Sequence, residues 1–517
     1  MEKSERVQRP GFVCCETQYN SIEAQWESRV SSAERGRILR RRKVLFLAVL
    51  LILTIGIQPL SVWASEVSAP AIPAGVELLT DGSSNSGISS DSASSGAVQL
   101  PSALLTEAAA SGLYRTALDY DYFQGGLPSY YSVTDLGKKP TVKSQGSLGT
   151  CWAITATSAI ESALLPEKQV VLSADHLSLN NGFDITQEEG GDYYMIMSYM
   201  ADWKGPVPEE DDPYGDGVSP DGLQSVLHVQ QMRLLKGMNR MQIQQMIYTC
   251  GAVQSSLCMD RTRTDSADYE YYDAQTYAYR DPNEEKLNHD ILILGWDDDY
   301  PKENFRLQPE EDGAWICLNT WGEDFGDDGL FCVSYEDANL FRKGGIAYTQ
   351  IDSPDDYARV YENDSLGWQA RQGYGSDECY FAGVFTAEAD ETLSAVGLYA
   401  TGAYTAFNVY IIPEFESAAD LQDRTQGIAW GWAVNPGYYT VQTDEQVQLT
   451  KGQRFAVCVW IQTQDAERPV AVETAKDKYT QSVTLEGRET YTSADGDVWE
   501  RTQEIYGTNV CLKVYTS

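Results

Sequence analysis

Gln145-Gly146-Ser147-Leu148-Gly149-Thr150-Cys151-Trp152-Ala153 is the stretch of this 517-residue chain that decides its fold. Directly after Cys151, the residues Ala153, Ile154, Ala156, Ala159, Ile160, Ala163 and Leu164 recur at helical spacing, and Pro166 closes the run. The spacing predicts a helix buried on one face, with Cys151 in its first turn. Amide dipoles at a helix start favour negative charge, so a thiol placed there is shifted toward thiolate. Two later stretches complete the pattern. Asn288-His289-Asp290 opens the apolar run Ile291-Leu292-Ile293-Leu294, which reads as a strand buried on both faces. Leu318-Asn319-Thr320-Trp321-Gly322 follows the strand-like run Ala314-Trp315-Ile316-Cys317-Leu318.

The residue types fit one chemistry. A thiol is mostly protonated at neutral pH, and a neighbouring imidazolium helps to ionise it. An amide oxygen accepting from one imidazole nitrogen fixes the ring's orientation and tautomer. In residue types, order and context, these stretches resemble the papain family of cysteine peptidases; His289 follows Cys151 by 138 residues and Asn319 follows it by 168. One departure is that Gly149-Thr150 stands where the family signature has Gly-Ser or Gly-Ala. The resemblance implies that Cys151 is the nucleophile, His289 its acid–base partner and Asn319 the residue that orients His289. It places Trp321 as the aromatic shield over that hydrogen bond. It makes Gln145 and the Cys151 backbone N–H the oxyanion hole, where removing one donor costs about 2.7–4 kcal/mol. It also assigns Gly190-Gly191, ahead of a Met/Tyr-rich helix, to backbone pairing with substrate, where a Cβ would obstruct the approach. Lys204-Gly205-Pro206-Val207-Pro208-Glu209, Asp212-Pro213-Tyr214 and the segment Ile243 to Val253 resemble further pieces of the same fold.

The plainer readings apply to the other residues of these types. Cys250, Cys258, Cys317, Cys332, Cys379, Cys458 and Cys511 read as packing residues. His176 falls in a structural segment of the resemblance, and His228 reads as part of a polar amphipathic helix. The net charge is −38, and the first 64 residues carry +4, leaving −42 on the remainder. A surface that acidic argues against nucleic-acid partners and against docking on anionic lipid. Asp297-Asp298-Asp299 and the acids between Glu323 and Asp328 lack the loop spacing of a calcium site, so no metal is expected. No cofactor is expected either.

The chain divides into four segments by texture. Residues 1–64 combine Arg40-Arg41-Arg42-Lys43, the apolar run Val44 to Ile57 and Ser61-Val62-Trp63-Ala64, the order of an export signal cleaved after Ala64. An uncleaved anchor is the alternative, and the only membrane contact expected. Residues 65–125 are a Ser/Ala/Gly-rich linker with a short pro-segment. Residues 126–352 hold the peptidase pattern. Residues 353–517 change to short alternating strands separated by turns such as Asn435-Pro436-Gly437, the texture of an all-β sandwich. Gly383 to Ala387, Gly437 to Thr440 and Val510 to Tyr515 resemble the lectin-like domain appended to some secreted bacterial peptidases. Trp430, Trp432, Tyr438, Tyr439, Tyr491 and Trp499 are its candidates for stacking on a carbohydrate or another cell-surface ligand.

The expected architecture is therefore an α+β papain-like two-lobed cysteine peptidase followed by an all-β sandwich. The expected function is that of a secreted or surface-exposed endopeptidase acting on polypeptides. A transglutaminase-like acyl transferase is the rival enzyme; it would use Asp or a second His as its third member. An adhesin on an inactive peptidase scaffold is the rival without chemistry; intact Gln145, Cys151, His289 and Asn319 speak against it.

Overall fold

The computed structural model describes residues 75–79, 126–264, 266 and 269–517. The export signal, its cleavage point after Ala64, the pro-segment and most of the Ser-rich linker lie outside these residues. Among the described residues no helix is long and apolar enough to cross a membrane.

The helix Cys151–Leu164 forms where the spacing placed it, but twelve of its fourteen residues, Cys151 through Ser162, are buried. The expectation of a single buried face is thus corrected. Helices Ala174–Leu179 and Tyr193–Ala201 and strands Val253–Leu257, His289–Asp297 and Gly345–Asp352 all pack against it. Ala153, Ala156 and Ala159 are small enough to admit neighbours on every side. Its one buried acid, Glu161, accepts at Oε1 from Lys143 Nζ at 2.6 Å and from the Leu172 backbone N–H at 2.8 Å.

The second lobe is a largely antiparallel sheet. Val253–Leu257, His289–Asp297, Ala314–Leu318 and Leu330–Ser334 are successive neighbours in it. Every residue from His289 to Trp296 is buried, as the two-sided apolar run required. Gly295 lies at a bulge in the pairing with Ala314–Leu318 and, on its other edge, opposite Ser132, where an added Cβ would sit 2.0 Å from the Tyr131 carbonyl oxygen.

His228 is not in a helix. Strand His228–Leu234 pairs on one edge with Gly345–Asp352 and on the other with Gly437–Leu449 of the C-terminal part. Its polar residues misled the pattern because they are buried at this junction: Gln230 is fully buried and its Oε1 accepts from Thr440 Oγ1 at 2.7 Å. One thirteen-stranded sheet consequently runs through both parts among the described residues. A six-stranded sheet faces its C-terminal portion, giving the expected sandwich over a core that includes Phe381, Leu398, Phe407, Val457 and Val514. Within the stretch expected to be linker, Val76–Leu78 forms a strand paired with Ala370–Gln372. Three residues are too few to show a period in sequence.

The aromatics chosen as carbohydrate candidates are mostly inside. Tyr438, Tyr439 and Tyr491 are buried, Trp432 and Trp499 half-buried, and Trp430 exposed. Tyr438 packs on Tyr399 and bonds Tyr515, as part of the core between the two parts. Tyr438 belongs to the core shared with the peptidase, Tyr439 on the opposite face to the sandwich core, and Tyr491 to a smaller cluster with Phe415 and Cys458.

The junction also holds a fully buried cation. Lys513 Nζ lies 2.5 Å from Asp202, at the end of helix Tyr193–Ala201, and 3.1 and 3.2 Å from Glu362 and Asp364 of the sandwich. Burial alone would lower its pKa, but the three carboxylates outweigh burial and raise it well above the ordinary lysine value. Burial pushes the Asp364 carboxyl up to about 7 against the pull of Lys513, and burial with the Asp202 charge raises Glu362. The folded state therefore keeps protons that the unfolded chain releases above the ordinary carboxylate range of about 4. The contribution of Asp364 and Glu362 is complete below that range and is lost as pH rises through about 7, whereas Asp202, whose carboxyl Lys204 and Lys513 hold below its usual range against burial, contributes in the opposite sense as pH falls.

Replacing Lys513 by Met leaves these carboxylates buried without their cation, and is expected to destabilise the protein by about 3–5 kcal/mol at pH 7.5. The loss should shrink at pH 5, where the carboxyls take up protons. Urea unfolding of both forms at the two pH values measures it; a loss below about 1 kcal/mol, or one indifferent to pH, contradicts this account of the junction.

Candidate active site

Four sequence-predicted residues, Gln145, Cys151, His289 and Asn319, converge with Trp321 where the two lobes meet. Cys151 begins the buried helix, with Thr150 as N-cap; the Thr150 carbonyl accepts from the Ala153 and Ile154 N–H groups. His289 begins its strand opposite Leu257, and Asn319 follows Leu318, which is paired with Leu292. That register brings His289 Nε2 to 2.7 Å from Asn319 Oδ1. Asn319 Oδ1 also accepts from the Thr320 backbone N–H at 2.7 Å, which fixes the amide's orientation. The imidazole nitrogen facing it is then the N–H donor, leaving Nδ1 for other work. Both residues are buried, and the Trp321 ring covers His289 at a centroid separation of 4.7 Å.

Gln145 is held at both ends of its amide. Its Oε1 accepts from Thr320 Oγ1 at 2.6 Å, and one Nε2–H donates to the Leu148 carbonyl at 2.7 Å. A primary amide has a second N–H. Gln145, His289 and Trp321 line one cleft of about 360 Å³.

Gly190 and Gly191 lie beside the start of the helix that Cys151 opens. Gly190 has φ +89°, and a Cβ on Gly191 would reach within 2.2 Å of the Trp152 ring. Glycine is thus required here by the ring next to Cys151 as well as by any partner on the open side.

Burial opposes a charge on Cys151 or His289 taken singly. Burial, reinforced by the Asp290 charge, pushes the Cys151 thiol up to about 12, although backbone N–H groups of Asp290, Trp152 and Cys151 favour the thiolate. Burial pushes His289 down to about 4; the Asn319 bond opposes that shift, and the Arg261 charge adds to it. Neither group ionises on its own at neutral pH. A proton passed from sulfur to imidazole would create opposite charges that stabilise each other in a low-dielectric setting.

Two residues of the site were not singled out by sequence. Asp290 is buried, receives Gln254 Nε2 at 2.6 Å and Ser256 Oγ at 2.5 Å, and is pushed up to about 6, chiefly by burial. Its signal was its place directly after His289. Arg261 donates to the Gly146 carbonyl at 2.8 Å and lies 5.8 Å from the Trp321 ring centre. Nothing local in the sequence marks Arg261, because it approaches through folding alone.

Comparison with known proteins bears on the fold that carries this site. Residues 127–350 match the papain family cysteine protease family, and residues 360–516 match the lectin like domain family. A viral cathepsin of Heliothis zea nuclear polyhedrosis virus is 26% identical over 224 residues, spanning 40% of this chain and 52% of the relative. Procathepsin L of Felis catus is 26% identical over 222 residues, spanning 41% of this chain and 62% of the relative. The chain thus covers only about half to two thirds of these curated relatives. The solved cysteine protease and lectin-like domains of Cwp84, a surface layer associated protein of Clostridium difficile, superpose with a TM-score of 0.66 at 25% identity, covering 76% of this chain and 89% of that one. A variant of Cwp84 solved after propeptide cleavage gives the same TM-score at 26% identity, covering 75% and 100%. By sequence and by structure, this chain carries a papain family cysteine protease domain followed by a lectin-like domain.

Proposed function

We propose that the chain is an exported papain-like cysteine endopeptidase that hydrolyses polypeptides through Cys151, His289, Asn319 and Gln145. The observation that carries this reading is the 2.7 Å contact between His289 Nε2 and Asn319 Oδ1 beneath Trp321, next to a cysteine at a helix start. An amide as the third member favours it over a transglutaminase-like acyl transferase, and the completeness of the set favours it over an adhesin on a peptidase scaffold. Export is supported by the basic–apolar–small order of residues 40–64. Likeness to a surface layer associated protein supports a place outside the cell or on its surface.

In this reading, substrate backbone pairs along Gly190-Gly191 and sets the scissile carbonyl over Cys151. Sγ gives its proton to His289 Nδ1 and attacks the carbonyl carbon. The oxyanion is held by the second Gln145 N–H and the Cys151 backbone N–H. His289 Nδ1–H then protonates the leaving amine as the C–N bond breaks, and a thioester remains. Water, deprotonated by Nδ1, attacks the thioester; the acid product departs and Sγ takes the proton back. Asn319 holds the ring so that Nδ1 faces sulfur throughout. The lectin-like domain supports the peptidase through the shared sheet; binding of a carbohydrate or other cell-surface ligand is a second role, for which Trp430 is the exposed candidate.

An epoxide inhibitor of thiol proteases should label the protein at Cys151 alone. Cys151→Ala should abolish both labelling and turnover of denatured protein while leaving the unfolding transition nearly unchanged. Turnover at the wild-type rate in that variant would rule out the nucleophile.

Gln145→Ala should lower turnover by about 10²–10³-fold. Labelling should fall much less, because ring opening of an epoxide builds no carbonyl oxyanion. Equal loss of both would mean a collapsed site in place of a missing oxyanion donor.

A further inference from the structure

The cleft that contains Gln145, His289 and Trp321 does not include Gly190, Gly191 or Trp152. A peptide bond lying over Cys151 with its oxygen toward Gln145 must send its two halves to opposite sides. The half paired along Gly190-Gly191 is the acyl half. The other half departs with the proton from His289, so the residues after the scissile bond occupy the cleft that His289 and Trp321 line. This assignment rests on the peptidase reading above.

One cation lines that cleft. Arg261 is exposed on it, in the short turn Arg261–Arg263, and lies on the Trp321 side. Its Nη1 donates to the carbonyl of Gly146, the residue next to Gln145. That bond anchors the guanidinium beside the oxyanion donor. Asp260, the acid adjacent in sequence, is occupied as the N-cap of the turn: its Oδ1 accepts from the Thr262 N–H at 2.9 Å and from Thr262 Oγ1 at 2.7 Å. Among the described residues no carboxylate forms an ion pair with Arg261. A guanidinium carries five N–H donors in a planar fork suited to a carboxylate. On a chain of net charge −38, Arg261 is the one cation among the residues that line this cleft, with its guanidinium held apart from the turn-capping Asp260 by the bond to Gly146.

We propose that Arg261 is a specificity-determining residue that selects a carboxylate on the leaving-group side of the scissile bond. The carboxylate is either an Asp or Glu side chain just after the cleaved bond or the C-terminal carboxylate of a short leaving fragment. The first source makes the enzyme an endopeptidase with an acidic preference after the cut, the second a carboxypeptidase. Binding also couples to chemistry. The Arg261 charge disfavours the imidazolium of His289, and a bound carboxylate offsets that charge where the proton must reside. The preference therefore extends to kcat as well as KM.

The test begins with the bond that the wild-type protein cuts in denatured casein, located by mass spectrometry and transferred to a synthetic peptide. The residue after the cut is made Glu, Gln or Lys, each with a C-terminal amide. A further peptide keeps Gln but ends in a free carboxylate shortly after the cut. Rates are normalised to the fraction labelled by the epoxide inhibitor, for wild type, Arg261→Gln and Arg261→Glu. Wild type should favour Glu over Gln, or free acid over amide, by about five- to tenfold in kcat/KM, the size expected of a charge-assisted contact near solvent. The arm that shows the gain identifies the source of the carboxylate. Arg261→Gln should erase the preference, and Arg261→Glu should turn it toward Lys. Active, labelled enzymes whose preference is the same with and without Arg261 overturn this inference and leave the peptidase reading standing. A wild-type protein that neither labels nor cleaves removes both.

Discussion

The site depends on the register between two neighbouring strands. Leu292 lies opposite Leu318, so His289 at the head of one strand meets Asn319 just past the end of the other. Side chains alternate faces along a strand, and a one-residue slip would turn His289 away from Asn319. The bulge between Ile293 and Gly295 and the close approach of Tyr131 at Gly295 hold that register from below. Cys151 reaches the same place from the other lobe because its helix is packed all round, not along one face. Catalytic geometry of this kind needs tolerances well under an ångström, and strands and buried helices supply them better than loops do.

The same sheet makes the two domains one mechanical body. Strand His228–Leu234 is hydrogen-bonded to a peptidase strand on one edge and to a sandwich strand on the other. Without the sandwich that second edge would present unpaired backbone groups, and Tyr199 and Met232 would lose the core they share with Tyr438, Trp368 and Tyr399. Lys513 adds electrostatics to the backbone continuity, since its three carboxylate partners come from both sides. The lectin-like domain is thereby a structural partner of the peptidase before it is anything else.

Much of this was legible in sequence because the decisive signals are local. The helix after Cys151, the two-sided strand after His289 and the change of texture near residue 353 each follow from periodicity within a dozen residues. The site residues were legible through their local contexts. What escaped was set by contacts between distant segments. His228–Leu234 looks polar because Gln230 and Arg233 are buried at a junction that no local pattern shows. Tyr438 and Tyr439 are both buried because one face of their strand packs on the sandwich core and the other on the peptidase, which composition alone does not show. Val76–Leu78 is too short to carry a period, and Arg261 enters the cleft from a turn more than a hundred residues from Gly146.

The central claim is that Cys151 and His289 ionise as a pair although burial drives each toward neutrality alone. The rate of Cys151 alkylation by iodoacetamide as a function of pH, followed by mass spectrometry of the Cys151 peptide, measures this most directly. An ordinary thiol titrates near pH ~8.5. The account predicts that wild-type Cys151 reacts as a thiolate well below that, already at about pH 6, and that His289→Ala moves its titration above the ordinary value because burial and Asp290 then outweigh the backbone N–H groups. The same high titration in both proteins would contradict it.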